Sequence, residues 1–238
     1  VRNPDNEKKI AHLNKLAADS KGTIKYFKSD LLKEGSYAEA MVGCELVYHT
    51  ASPFITDVKD PQRDLVDPAE KGTQNVLETA SKTPSVKRVV VTSSCAAIYG
   101  DAIDIKNAPN GILTEDVWNT SSSLTQQPYS YSKTLAEKKA WELSKAQKQW
   151  QLVVINPSFV LGPPLNTQSN TSESQNILKQ LGDGTMKMGV PNMGIGVVDV
   201  RDLAEAHFQA GFNPKASGRN IASGTNSNIL ELASYLIP

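Results

Sequence analysis

Cysteine, histidine and long apolar runs are all scarce in these 238 residues, and each scarcity excludes something. Two cysteines, Cys44 and Cys95, and three scattered histidines supply neither a disulfide framework nor a spaced metal-ligand set. The thiols read as reduced, as in a cytoplasmic protein. No apolar stretch nears the roughly 18 residues that cross a bilayer. The opening Val1-Arg2-Asn3-Pro4-Asp5-Asn6 lacks the pattern of a secretory leader, so no membrane partner is expected. An excess of one charge is missing too. The 25 Lys+Arg face 25 Asp+Glu with no basic stripe, which argues against nucleic acid. There is no internal repeat and no low-complexity tract.

What is present is an alternation of short β-branched runs and helical stripes. Strand signals fall at 23–27, 46–50, 87–92, 152–155 and 220–222, with order resuming at 197–200; the run 87–92 is the clearest buried strand. Helical spacing is carried by Ile10, Leu13, Leu16 and Ala17, with Asn3 or Asp5 as cap. It recurs at 36–41 before the stop signal Gly43, at 63–81, 129–148, 174–181 and 201–210, and from about Asn228. The stretch 182–196, rich in Gly and Met, reads as an irregular lobe. Such alternation predicts an α/β fold, a doubly wound parallel sheet with right-handed crossovers. Sheets of this kind bind ligands at the carboxyl ends of their strands. Arg2, Asp30, Thr50-Ala51-Ser52, Ser93-Ser94 and Pro157-Ser158 each fall just past an expected strand end.

Tyr129 and Lys133 are four apart at the head of a helical segment, so they share one face and can reach one ligand. An ammonium near a phenol favours the phenolate, and the pair is then expected to make the tyrosine a usable proton donor near neutral pH.

Several pieces, taken in order, carry a family resemblance. They are Val1-Arg2-Asn3-Pro4, His49-Thr-Ala-Ser-Pro-Phe54, Val89-Val-Val-Thr-Ser-Ser94, the Tyr129–Lys133 pair with its Thr-Leu-Ala-Glu-Lys138 tail, Asn156-Pro-Ser-Phe-Val-Leu-Gly-Pro163 and Val198-Asp-Val-Arg-Asp-Leu-Ala-Glu-Ala-His207. Together they resemble the extended short-chain dehydrogenase/reductase family. Within it they look most like the branch of dihydroflavonol and cinnamoyl-CoA reductases and NADPH-dependent aldehyde and ketone reductases. The resemblance implies a Rossmann domain over 1–165 and 197–222, with substrate-lobe pieces at 166–196 and 223–238. The family's N-terminal βαβ portion, with its Gly-rich pyrophosphate turn, is absent from this sequence, so about 30–40 further residues are expected ahead of Val1. The strand that those residues would supply belongs between 23–27 and 46–50.

The same resemblance implies NADPH as cofactor and a small carbonyl substrate, in a monomer or homodimer. Tyr129 is then the general acid, and Lys133 binds the nicotinamide ribose and depresses the tyrosine pKa. Ser94 gives the second hydrogen bond to the carbonyl, with Ser93 as its competitor, since side chains alternate at a strand end. Arg2 stands where NAD-binding members carry an acid, and a guanidinium there suits a 2′-phosphate. Asp30 and Leu31 flank adenine, although Asp30 reads equally as a cap. Thr50, Ala51, Ser52 and Thr92 approach the cofactor, and Pro157, Ser158 and Val160 wall the nicotinamide. Ser172 is a candidate phosphate contact. Phe54, Ile98, Tyr99 and the loops 101–127 and 166–196 are where substrate is expected. Those loops hold no Arg or Lys cluster, which favours a modest, apolar aldehyde or ketone. Cys95, His49, His207 and Tyr131 read as structural. Two rival readings stay open: an NAD-dependent sugar-nucleotide epimerase or dehydratase, and a catalytically silent NADP-binding sensor.

Overall fold

The computed structural model describes residues 1–52, 58–165, 173–190 and 192–236. At its centre β1 (Leu46–His49), β2 (Arg88–Thr92), β3 (Gln151–Pro157) and β6 (Gly218–Ala222) form a parallel sheet in the order β1-β2-β3-β6. Valine and isoleucine dominate β2 and β3 because both faces of these strands are covered, as a parallel sheet requires. Successive side chains go to opposite faces. Val89, Val91, Leu152 and Val154 join Leu77, Ala80 and Ala140 in one core, under α3 (Asp67–Ser81) and α4 (Pro128–Lys145). Val90, Val153 and Ile155 join Leu203 and Ala210 in the other, under α6 (Val200–Phe212). Each of the valines, leucines and isoleucines, fully buried, contributes about 1.5–3 kcal/mol. Arg88 ties β2 to the end of α6 by donating to the carbonyls of Ala210 (3.1 Å) and Asn213 (2.6 Å), a cation where the helix dipole is negative.

The long helix expected over 63–81 opens as a π-helical turn, Gln62–Val66, before α3. The strand expected to stop at Ile155 continues to Pro157, which pairs with Ala222 at the last rung, where a missing N–H is tolerated. Two strands, Phe159–Leu161 and Thr225–Asn228, went unread, and the order expected from Val197 begins earlier, at Gly194. Phe159–Leu161 (β4), Gly194–Asp199 (β5) and Thr225–Asn228 (β7) make a second sheet, β4-β5-β7, parallel between β4 and β5 and antiparallel between β5 and β7. Its start at Gly194 lies inside the expected irregular lobe. Gly196 is there for close approach: a Cβ would lie 3.0 Å from the Ser223 hydroxyl and 3.1 Å from Ser158 Cβ. Helices α5 (Glu173–Gly182) and α7 (Ile229–Ser234) flank it, the latter capped by Asn228, which accepts from the Glu231 amide at 2.9 Å.

The N-terminal segment departs most from expectation. Helix α1 (Glu7–Ala18) is preceded by Asn6 as N-cap; Asn3 accepts instead from the Asp5 amide, at 3.1 Å, in a turn ahead of it. Of its apolar stripe only Ile10 is buried, and Leu16 stays exposed. Residues 23–27 do not form a strand. The Tyr26 hydroxyl donates to Asn14 Oδ1 of α1 at 2.7 Å, and the backbone pairs with Val1, whose amino group donates to the Phe27 carbonyl and whose carbonyl accepts from the Ser29 amide, each at 3.0 Å, in the parallel pattern. Among the described residues no ladder joins 23–27 to β1, so the sheet is not closed between them. Between these segments and β1, the short helix α2 (Ala38–Met41) ends at Gly43, whose φ of 77° is the left-handed stop that the sequence signals.

Candidate active site

β2 ends at Thr92, and the chain turns sharply through Ser93 and Ser94. The alternation of the strand continues into this turn and sends the two hydroxyls in different directions. Ser93 is buried and donates to Glu137 Oε2 at 2.6 Å. Ser94 has an extended backbone, caps the short 3-10 turn Cys95–Ala97 by accepting from the Ala96 amide at 3.1 Å, and is hydrogen-bonded to Tyr129. Helix α4 brings Tyr129 here. It begins at Pro128, a residue suited to a first helical position, directly after Gln127, which is held left-handed at φ 53°. One turn further on, Lys133 is 6% exposed and its ammonium donates to the Thr92 carbonyl at 3.4 Å.

These groups open onto a cleft of about 410 Å³ at the carboxyl ends of the strands. Of the predicted residues the cleft brings together Thr50, Ser52, Thr92, Ser94, Tyr129, Lys133, Pro157, Ser158 and Val160, and Tyr99 from the substrate set. Ala51 lines a small adjoining cavity with Ser52 and Lys133. The other adenine-side candidates lie away from the cleft. Asp30 is exposed and accepts from the Leu32 amide at 2.9 Å. Leu31 packs onto the first core, against the place where Gly72 has no side chain. Arg2 is exposed, next to the Val1 pairing that places it beside the end of segment 23–29. Ile98 is 1% exposed and belongs to the interior, so it is not a substrate contact; the apolar run Ala96-Ala97-Ile98 is a core signal. Phe54, Ser172 and the loop 166–172 lie outside the described residues.

The electrostatics correct one expectation. Burial pushes the Tyr129 phenol above its ordinary value, with the Ser94 hydrogen bond opposing, so the tyrosine holds its proton at neutral pH; depression by Lys133 is not what dominates. The lysine itself is held down to about 8 by burial, against the opposing pull of Glu137. Burial, and then the Lys133 charge, lower His49 to about 4, so this histidine is neutral, with Nε2 3.3 Å from the Thr73 hydroxyl. His207 is structural as read. Its Nδ1 lies 2.8 Å from the Leu203 carbonyl and must donate, leaving Nε2 to accept from Thr92 Oγ1 at 2.7 Å. Burial raises Cys95 to about 11, with Glu115 adding and Arg219 opposing; it is an inert thiol.

Sequence reasoning missed the layer behind the cleft, formed by Glu137, Asn156 and Arg219. Glu137 is 1% exposed and paired with Arg219, and Asn156, fully buried, donates to both Glu137 Oε2 (2.7 Å) and the Ser94 carbonyl (3.1 Å). A signal existed. Glu137 is four residues beyond Lys133, hence on the buried face of α4, between Ala136 and Ala140. Among the described residues there is no cluster able to hold a metal ion, and no helix long and apolar enough to cross a membrane.

A doubly wound sheet with Ser, Tyr and Lys converging at its carboxyl edge defines a class, and comparison with known proteins agrees. Residues 1–222 match the NAD dependent epimerase/dehydratase family, and the chain belongs to that family. The expected extended-family resemblance and the α/β fold are both borne out. Its relatives include named reductases. A cinnamoyl-CoA reductase of Medicago truncatula is 43% identical over 223 residues, which are 92% of this chain and 66% of that protein. An anthocyanidin reductase of Arabidopsis thaliana is 37% identical over 247 residues, covering 100% of this chain and 71% of that protein. The structure of Gre2 from Candida albicans in complex with NADPH is similar at a TM-score of 0.82 and 29% identity, over 98% of this chain and 72% of that one. The chain thus spans about two thirds to seven tenths of the length of these relatives.

Proposed function

We propose that the protein carrying this chain reduces an aldehyde or ketone to an alcohol with NADPH. The observation that carries this reading is the convergence of Ser94, Tyr129 and a nearly buried Lys133 on one cleft at the carboxyl ends of β2 and β3. The residues present fit a nicotinamide dinucleotide on two grounds. Ser52 Oγ is buried at the cleft without a hydrogen-bond partner among the described residues. The Lys133 ammonium has three donors and gives the Thr92 carbonyl only a long contact. Thr50, Ser52 and Lys133 would hold the cofactor, with Pro157, Ser158 and Val160 against the nicotinamide, and Arg2 would pair with a 2′-phosphate. When bound, NADPH supplies the hydride that reduces the carbonyl carbon.

The chain's own part is to manage the oxygen. Ser94 donates a hydrogen bond to the carbonyl oxygen and orients it. Tyr129 donates a proton to that oxygen as alkoxide charge develops there. A phenol that burial keeps protonated is suited to this step. Lys133, as an ammonium, stabilises the phenolate left behind, and solvent returns the proton. Among the described residues that line the cleft Lys133 is the lone Arg or Lys, which supports an uncharged, modest carbonyl over a phosphorylated one. The same neutrality, with Arg2, weighs against the sugar-nucleotide reading.

The test is a panel of aldehydes and ketones given to the full-length protein, with NADPH or NADH consumption followed by absorbance. Turnover of small apolar carbonyls, faster with NADPH, is expected. Binding of NADPH without turnover of any carbonyl would instead support the silent sensor.

A further inference from the structure

Glu137 is buried almost completely, on the same face of α4 as Lys133, and four other residues donate to it or pair with it. Ser93 donates from the end of β2 at 2.6 Å, Asn156 from β3 at 2.7 Å, Trp141 from the next turn of α4 at 3.2 Å, and Arg219 from β6 through Nε at 2.5 Å and a second nitrogen at 3.4 Å. Arg219 is itself spent on structure. It donates to the carbonyls of Ala97 (3.1 Å), Glu115 (2.8 Å) and Val117 (2.5 Å), and its guanidinium stacks 3.8 Å over the Trp118 ring.

A buried ion pair is a poor device for stability alone, because apolar residues of similar volume often stabilise as well or better. What this pair does have is reach. The Ser93 hydroxyl, the Ser94 carbonyl through Asn156, and the Ala97 carbonyl through Arg219 all end on Glu137. The short turn that presents Ser94 to Tyr129 is therefore fastened at its start, its middle and its end to the helix that carries Tyr129 and Lys133.

We infer that Glu137 is a positioning residue, which holds the Ser94 turn in register with Tyr129 and Lys133 through Ser93, Asn156 and Arg219. It touches neither substrate nor cofactor. The inference rests on the proposed reductase reading for its kinetic arm only. Its second effect is electrostatic. The titratable and charged groups around Lys133 are Glu137 and Tyr129 on its own helix, neutral His49 from β1 and the Cys95 thiol from the turn, with Arg219 of β6 behind Glu137. Among the described residues Glu137 is the carboxylate that favours the charged lysine.

The test compares the full-length protein with its Glu137→Gln and Ser93→Ala variants, and with Trp141→Phe as a control that takes from Glu137 a donor lying outside the Ser94 turn. Glu137→Gln keeps the shape and loses the charge. Its backbone amides at 95–98 should exchange with deuterium about tenfold faster while the rest of the sheet keeps its protection. Its kcat should fall about 10- to 100-fold with KM for the carbonyl changed less than about threefold, and the alkaline limb of the kcat profile should move to lower pH, because Lys133 gives up its proton more readily. Ser93→Ala keeps the charge, so it should loosen the turn and lower kcat without moving the limb, and it decides the matter if Glu137→Gln does not fold. Trp141→Phe should match the parent. Unchanged exchange at 95–98 in whichever of the two variants folds overturns the inference, as does a Glu137→Gln enzyme that loses stability with its alkaline limb unmoved. A parent that reduces no carbonyl refutes the functional reading, and the exchange measurement then still decides the role of Glu137.

Discussion

Ser94 and Tyr129 are hydrogen-bonded to each other across the mouth of the cleft, while the adjacent Ser93 gives its hydroxyl to Glu137 in the interior. This division of two neighbouring serines separates a group that can meet a substrate oxygen from one that cannot. Ser94→Ala is expected to lower kcat by about 10²-fold, the scale of losing one donor to a developing oxyanion, with a smaller change in KM. Steady-state kinetics on the full-length enzyme checks this; near-normal kcat would remove Ser94 from the reacting centre.

Lys133 makes a stability prediction with a definite sign. Its folded value near 8 lies below its ordinary 10.5. Between those values the unfolded chain binds more protons than the folded one, so this group's contribution to stability rises with pH there. Below about pH 8 the full penalty of burying the charge is present. Lys133→Met should therefore be more stable than the parent at pH 7, on the order of 3 kcal/mol, and should lose that advantage as pH rises from 8 towards 10.5. Urea midpoints for both proteins at pH 7, 9 and 10 give the difference. A difference that does not change with pH would show that Lys133 carries no such penalty.

In the proposed reading cofactor choice falls to Arg2, which is exposed and stands beside the end of segment 23–29. Arg2→Glu should weaken NADPH by roughly one to two decades, the value of a charge-assisted contact of about 1.5–3 kcal/mol, and leave NADH little affected. Titration of both cofactors by fluorescence decides it, and equal losses for the two would give Arg2 a role in the fold alone.

The central sheet was legible because its physics is written twice. Val89-Val90-Val91 and Leu152-Val153-Val154-Ile155 are apolar at every position, as strands covered on both faces must be, and punctuation such as Gly43 marks the helix ends. The Tyr129–Lys133 pair was legible from helical spacing. What stayed hidden has particular causes. Phe159–Leu161 is only three residues long, Thr225–Asn228 is wholly polar, and the two glycines in the first half of Gly194–Asp199 hide where that strand begins. Residues 23–27 have strand composition, but among the described residues their backbone joins no strand of the sheet and pairs with Val1, and composition cannot supply a partner strand. The role of Glu137 was hidden because its partners Ser93, Asn156 and Arg219 are 44, 19 and 82 residues away. The tyrosine pKa was misjudged in direction because spacing reports the nearby ammonium and not the depth of burial.

The central claim is that Tyr129 is the proton donor in an NADPH-dependent carbonyl reduction, and the most direct measurement is kcat of the full-length protein with tyrosine or phenylalanine at this position. Tyr129→Phe keeps the half-buried ring in its place on α4 and removes only the hydroxyl that meets Ser94. The account predicts a fall in kcat of about two to four orders of magnitude, the range of general acid catalysis, with NADPH affinity nearly unchanged. A Tyr129→Phe enzyme that still turns over its carbonyl at close to the parent rate would contradict it.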